Sequence, residues 1–344
     1  MTDPGIVAQA PEVARLIART AAGNTLSSGL ADRARGVLLG LAVGNLLGLP
    51  VEGDRHDWIA DTYPDGLTEI DPREANRPMD DDLAQAVDLG EALLAGGDCA
   101  RDLADRLVVW ERENGRGIGI TTREVIEELY TGKPLPEPAR IIYERRNRIA
   151  PNGGVMRCAP VAIARRNDPA RLVADSATTC VVTHYAATCQ WSCILVNAVI
   201  AALLNGAAPD LPGLLEAARA DGCPDLAAQA ISDGIPADAL DAMGHGSQPP
   251  PDADWLMCDH RLIGHTLLAT QFGFWAAATR LDFEDALVAS VAAGGDTDTN
   301  AAVAGAVLGA RYGASAIPQR WLDCIPQREL IERLADDLIA TPGS

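Results

Sequence analysis

Apolar residues recur every three or four positions along most of this chain, and almost nowhere at every second position. Leu83, Ala86, Val87, Leu89, Leu93 and Leu94, for example, trace the buried stripe of one amphipathic helix. The same spacing predicts helices over residues 11–22, 30–47, 81–95, 101–113, 121–130, 156–166, 169–182, 186–204, 212–220, 225–231, 264–278, 283–292 and 300–312. Runs of alternating β-branched residues are nearly absent, aromatic residues make up only 4% of the chain, and alanine is abundant. The expected fold class is therefore all-α, with helices packed closely on one another. Gly36, Gly40, Gly44 and Gly48 recur every four residues in the second predicted helix, and Gly305 and Gly309 repeat the spacing in the last. A glycine costs a helix interior about 0.5–1 kcal/mol relative to alanine. Two such strips point to faces where neighbouring helix backbones come close.

Residues 1–29 read as a partly helical N-terminal arm, and 30–344 as a single domain. Within that domain 206–254 is rich in Pro and Gly, includes Gln248-Pro249-Pro250-Pro251, and reads as a surface excursion with one or two short helices. The most apolar stretch, 185–204, contains Gln190, Ser192 and Asn197, which fits a buried core helix better than a membrane span. No basic-then-apolar leader opens the chain, and the eight cysteines form no Cys-x-x-Cys pair, so a cytoplasmic location is expected. Cys189 and Cys193 share a helix face and read as small apolar groups. A formal net charge of -20 argues against broad nucleic-acid binding. Arg140, Arg145, Arg146 and Arg148 read as a solvated helix face. The oligomeric state stays open.

The candidate chemistry lies in two acidic clusters, each at the start of a helical pattern. Asp296-Thr297-Asp298-Thr299 follows a Gly-Gly pair, and Asp80-Asp81-Asp82 stands at the start of the helix predicted over 81–95. Either alone reads as an ordinary N-cap. Should they converge, five carboxylates would share a small volume, which requires protonation or bound cations. Oxygen-only ligands select Mg²⁺ or Mn²⁺ over zinc or copper. His260 and His265, five apart, do not share a helix face and do not read as a zinc pair. Gly115-Arg116-Gly117-Ile118-Gly119 lacks the preceding strand of a dinucleotide-binding unit and reads as a loop before the helix at Thr121.

Several motifs together resemble one family. They are Arg35-Gly36, Gly44-Asn45-Leu46-Leu47-Gly48-Leu49-Pro50-Val51-Glu52, Asp80-Asp81-Asp82-Leu83, Asn152-Gly153-Gly154-Val155-Met156-Arg157, Thr183-His184, and 294–299 followed by Ala304-Gly305-Ala306, Ile317-Pro318 and Trp321. In this order, over residues 33–321, the chain resembles the ADP-ribosylglycohydrolases. The resemblance implies an orthogonal all-α bundle with a binuclear Mg²⁺ site, Mn²⁺ being the alternative ion. It implies Asp80, Asp81, Asp82, Asp296, Asp298 and Thr299 as metal ligands. Glu52, Asp81 and Asp298 would be the catalytic residues, with Glu52 orienting or deprotonating the attacking water or positioning the ribose hydroxyls. Asn152, Gly153, Gly154, Met156 and His184 would bind substrate, the Asn-Gly-Gly turn offering backbone N–H groups to a diphosphate at the start of the Met156 helix.

Three residues depart from the family pattern at the centre. Asn45 stands for an Asp, Asp80 for a Thr ligand and Leu83 for a second Thr. Ile149-Ala150-Pro151 replaces the usual Ser-x-Gly, and Pro151 has no N–H to offer a phosphate. The function implied is Mg²⁺-dependent hydrolysis of an ADP-ribosyl N- or O-glycosidic bond, on an ADP-ribosylated protein. Two alternatives remain: the same chemistry on a small NAD-derived ribosyl nucleotide, and a catalytically silent nucleotide-binding or structural member of the fold.

Overall fold

The computed structural model describes residues 5–22, 29–233 and 263–340. Among these there are seventeen α-helices and no strand. In chain order they are α1 Pro11–Ala22, α2 Leu30–Gly48, α3 His56–Thr62, α4 Asp81–Ala95, α5 Cys99–Glu113, α6 Ile120–Leu129, α7 Glu137–Arg145, α8 Ala159–Arg165, α9 Pro169–Cys180, α10 Ala187–Leu204, α11 Leu211–Ala220, α12 Asp225–Asp233, α13 Thr266–Ala278, α14 Phe283–Ala292, α15 Thr297–Tyr312, α16 Gln319–Leu322 and α17 Arg328–Ala340.

The most extensive helix–helix contact is between α2 and α15, and the glycine strips make it. They pack against each other. A Cβ at Gly40 would sit 2.1 Å from the Gly305 carbonyl oxygen, one at Gly44 2.1 Å from that of Ala301, and one at Gly36 2.4 Å from that of Gly309. Side chains there would hold the two backbones apart, so glycine is required for the approach. At the end of this seam a Cβ at Gly48 would lie 2.4 Å from the Asp298 Cα, and the Thr297 hydroxyl donates to the Gly48 carbonyl at 2.8 Å. The seam thereby fixes the first turn of α15 against the end of α2.

Around this pair α10 is buried from Cys189 to Leu204, and α8, α9 and α13 pack on it. Two segments, Leu30–Val51 and Ala187–Leu204, are long and apolar enough to cross a membrane, yet 83% and 89% of their most apolar windows are buried inside the protein. The helix predicted over 156–166 starts later, at Ala159. Residues 152–157 wind through tight turns, and Pro160 sits in the first turn of α8, where its missing N–H is harmless. Helices α3, α7, α16 and α17 were not anticipated. α17 buries Ile331, Leu334, Ala335 and Leu338, a full helical stripe. α7 carries Arg140 and Arg145, with Arg146 just beyond; these pair with Glu137 and Glu144, Glu128, and Glu124. Within the 206–254 segment, α11 and α12 bury Leu214, Leu215, Ala218, Ala227, Ala228 and Ile231 against α1, α10 and α13; 234–254 and His260 lie outside the described residues.

Candidate active site

Three chain segments bring the acidic clusters together. The first is the end of α2, where the chain turns through Leu49–Val51 into Glu52. The adjoining loop is clamped to the segment before α15: Gly53 N donates to Gly295 O at 2.7 Å, and Gly295 N to Asp54 O at 2.8 Å. Gly294 and Gly295 both have positive φ, and a Cβ at Gly294 would meet the His56 nitrogen at 2.6 Å. The second is the start of α4, with Asp80 in the N-cap position and Asp81 and Asp82 in the first turn. The third is the start of α15, with Asp296 in the N-cap position. Neither N-cap carboxylate caps its own helix. Both carboxylates face the cleft instead of the orphan N–H groups they would ordinarily satisfy.

Carboxylate oxygens of Asp80, Asp82 and Asp298 lie within 4.8 Å of one another, and so do those of Glu52, Asp296 and Asp298. Asp298 belongs to both groups. Asp80, Asp81, Asp82, Asp298 and Thr299 are buried, Asp296 is half-buried and Glu52 stands at the exposed mouth. Burial, then repulsion from neighbouring carboxylates, raises the pKa of Asp81, Asp82 and Asp298 well above the carboxylate range. Desolvation also raises Glu52, with Asp296 and Asp80 adding to it. Asp80 is raised by burial, against the hydrogen bond from Asn45 and the charge of Arg116.

These residues fit a hard divalent cation. The donors are all oxygen, and Asp82 Oδ1 and Asp298 Oδ1 are buried with no hydrogen-bond partner. A buried, unpartnered carboxylate oxygen is costly unless a proton or cation meets it. The Thr299 hydroxyl, 3.5 Å from Asp82 Oδ2, adds one more oxygen to the same corner.

A cleft of about 150 Å³ opens over the cluster. It is lined by Leu49, Glu52, Asp80, Asp81, Asp82, Asp296, Asp298 and Thr299 on one side, and by Pro151, Asn152, Gly153, Met156 and His184 on the other. Asn152 Nδ2 donates to Asp296 Oδ2 at 2.8 Å, tying the two sides together. The Asn152 backbone N–H is taken by the Gly264 carbonyl at 2.9 Å. Of the substrate-binding candidates, Gly154 alone is off the cleft wall. It turns into the core, where a Cβ would lie 2.8 Å from the Cys180 sulfur.

Sequence reasoning reads 115–119 as a loop, as the structure has it, but gives it no part in the site. The loop brings Gly117 and Gly119 to the cleft, followed by Thr121 and Thr122 in α6, and sets Arg116 against Asp80. Arg116 Nε lies 3.3 Å from Asp80 Oδ1, and its Nη1 donates to buried Glu74 at 2.8 Å and to the Pro78 carbonyl at 2.9 Å. Gly117, with φ +76, leaves the space that a Cβ would take 2.6 Å from Asp81 Oδ1. The signal was a glycine on each side of one arginine, set aside because the strand of a nucleotide loop was missing.

A family model of the ADP-ribosylglycohydrolases matches residues 26–343. The chain belongs to the ADP-ribosylglycohydrolase family. It is 29% identical over 317 residues to an ADP-ribosylarginine hydrolase, Tri1, of Serratia proteamaculans, covering 89% of this chain and 79% of that one. It is 26% identical over 323 residues to an ADP-ribosyl-[dinitrogen reductase] glycohydrolase of Rhodospirillum rubrum, covering 91% and 97%. A solved structure titled an ADP-ribosylglycohydrolase-related protein complex superposes with a TM-score of 0.68 at 28% identity, over 91% of this chain and 99% of that one. Within this ADP-ribosylglycohydrolase the departures at the centre are linked. Asn45 Nδ2 donates to Asp80 Oδ2 at 3.3 Å, so the two departures that the resemblance implies are in contact. Arg116 takes the other Asp80 oxygen. Leu83 points into the core, 1% exposed.

Proposed function

We propose that this chain is a Mg²⁺-dependent hydrolase that cleaves an ADP-ribosyl N- or O-glycosidic bond on a modified protein. The observation that carries the reading is the pair of carboxylate groups that share Asp298 beneath a cleft with Glu52 at its mouth. Asp80, Asp82, Asp298 and Thr299 would hold one ion, and Asp296, Asp298 and Glu52 would border a second. Asp81, on the cleft wall beside both groups, adds negative charge to both. When bound, the ions supply Lewis acidity toward the ribose hydroxyls and neutralise the carboxylates.

The chain's own residues divide the remaining work. Glu52 is the carboxylate nearest solvent, and its raised pKa suits a group that takes a proton from the attacking water. Asn152 orients Asp296 through its amide. Met156 and His184 form the far wall, against which the rest of the ligand lies. The cleft opens to solvent beside exposed Glu52, so a leaving group bound at that end would project outward. That geometry suits a bulky leaving group such as a protein side chain. Relatives that include an ADP-ribosylarginine hydrolase and an ADP-ribosyl-[dinitrogen reductase] glycohydrolase support a protein substrate.

A second reading rests on Pro151 and Ile149. Pro151 lines the cleft without an N–H to donate, and Ile149 is 40% exposed near it. These are altered contacts for a diphosphate, and they favour a small NAD-derived ribosyl nucleotide. One experiment separates the two. Arginine-linked, serine-linked and O-acetyl-linked ADP-ribose and small NAD derivatives are offered with Mg²⁺ and with chelator. Release of ADP-ribose from modified protein, only with Mg²⁺, is the expected result. Turnover of a small nucleotide with none from modified protein would replace the proposal by the second reading.

A further inference from the structure

Behind the cleft wall, four buried polar side chains form a line that the acidic centre does not use. Arg157 is 1% exposed, and its acceptors are neutral. Its Nη1 donates to Gln85 Oε1 at 2.6 Å, and its Nη2 to Thr183 Oγ1 at 2.6 Å and to the Thr179 carbonyl at 3.4 Å. Thr183 Oγ1 lies in turn 2.7 Å from His184 Nδ1.

The direction of each bond follows from the donors. A guanidinium only donates, so the Thr183 oxygen must accept from Arg157. No other acceptor meets the Thr183 hydroxyl among the described residues, so its hydrogen is directed to His184 Nδ1, which offers its lone pair. A neutral imidazole with Nδ1 as acceptor carries its proton on Nε2. Burial, with the charge of Arg157 behind it, holds the His184 pKa down to about 3, so the ring is neutral throughout the ordinary pH range. The Cε1–Nε2 edge faces Gly153 on the cleft wall, where a Cβ would lie 2.6 Å from Cε1 and 2.9 Å from Nε2. Glycine at 153 is what lets that edge reach the cleft.

We propose that Arg157 and Thr183 are positioning residues that lock His184 as its Nε2–H tautomer, so that the ring presents a donor, and no acceptor, to an acceptor oxygen of the bound substrate. The substrate half of this statement rests on the function proposed above; the tautomer half does not. A ring free to choose its tautomer would spend part of its time with a lone pair facing that oxygen, and repel it. The relay removes that state through groups that never touch the ligand.

The test is nitrogen-15 NMR of histidine-labelled protein, with His184 assigned by loss of its signals in His184→Gln. Wild-type protein should show a protonated Nε2 and an unprotonated Nδ1, unchanged between pH 5 and 8. Thr183→Val should give a mixed or inverted tautomer in protein that still unfolds cooperatively, and Thr183→Ser should restore the wild-type spectrum. With ADP-ribose as probe, Thr183→Val should bind roughly 2- to 10-fold more weakly, the worth of one neutral hydrogen bond. In turnover the loss should appear in KM more than in kcat. A wild-type ring protonated on Nδ1 overturns the proposal, as does an unchanged spectrum in Thr183→Val. Should that variant fail to fold, the wild-type spectrum alone decides. A locked Nε2–H ring in protein that does not bind ADP-ribose supports the relay while removing the proposed substrate, so the two failures are distinguishable.

Discussion

Glu52 and Asp298 differ in burial, and the difference assigns them different tests. Glu52 is at the mouth, so its substitution leaves the packing intact. Glu52→Gln keeps the shape and removes the basicity. Its kcat should fall roughly 10²–10⁴-fold while affinity for ADP-ribose changes little. Equal turnover by mutant and parent would reduce Glu52 to a loop acid. Asp298 is buried, shared by both carboxylate groups, and carries an oxygen without a partner. Asp298→Asn removes one of several mutually repelling charges. In chelator at pH 8 the variant should therefore be more stable than its parent, by about 1–3 kcal/mol, while the stabilisation given by Mg²⁺ shrinks. A plain capping role predicts the opposite sign, and thermal unfolding with and without Mg²⁺ separates the two. Both residues were legible in the sequence because acidic clusters and family motifs are local. Arg116 was not legible, because what it does depends on Glu74 and Asp80, 42 and 36 residues earlier in the chain.

Helices α2 and α15 were both predictable from their repeats of glycine, but their pairing was not. A strip of glycine says that some backbone must approach; it does not say which. The structure answers with reciprocal contacts at Gly36–Gly309 and Gly40–Gly305. Gly40→Ala should destabilise the protein by about 1–3 kcal/mol or more, since the new methyl meets backbone that cannot rotate away. It should also lower activity at temperatures where the protein is still folded, because the seam seats Asp298 against Gly48. Chemical denaturation and a metal titration of the variant check both. An unaltered midpoint would mean that the seam opens without cost. The elements that sequence missed fail for different reasons. α3 is seven residues long and buries only Ile59, too little for a periodic signal. α17 carries a clear apolar stripe and was readable. The start of α8 was misplaced because the apolar run continues upstream of Pro160 through turns that bury Val155 and Met156 without being helical.

Across the whole molecule, the burial of acid at one centre sets a pH dependence that has a definite sign. Asp80, Asp81, Asp82, Asp298 and Glu52 all have folded-state pKa values above their unfolded ones. The folded protein thus holds more protons than the unfolded chain, and stability falls as pH rises. With chelator, the contribution of this centre to stability should be fully present below about pH 4 and be lost as pH climbs through the raised values. Saturating Mg²⁺ should reverse the trend near neutrality, adding about 2.7 kcal/mol at one hundred times its Kd. Melting temperatures measured from pH 4 to 8 check this; a chelated protein that gains stability with pH would contradict the geometry of the centre. The sequence by itself determined the all-α class and the family, and singled out the acids that the structure gathers at one cleft, because helical period and short motifs are local properties of the chain. The tertiary structure alone decided that α2 and α15 share one glycine seam, that Asp298 serves both carboxylate groups, and that Arg116 and Asn45 hold Asp80 from either side. It also decided the line from Arg157 through Thr183 to His184. Each of these joins residues that only packing brings within a few ångströms, and no period or motif encodes that distance.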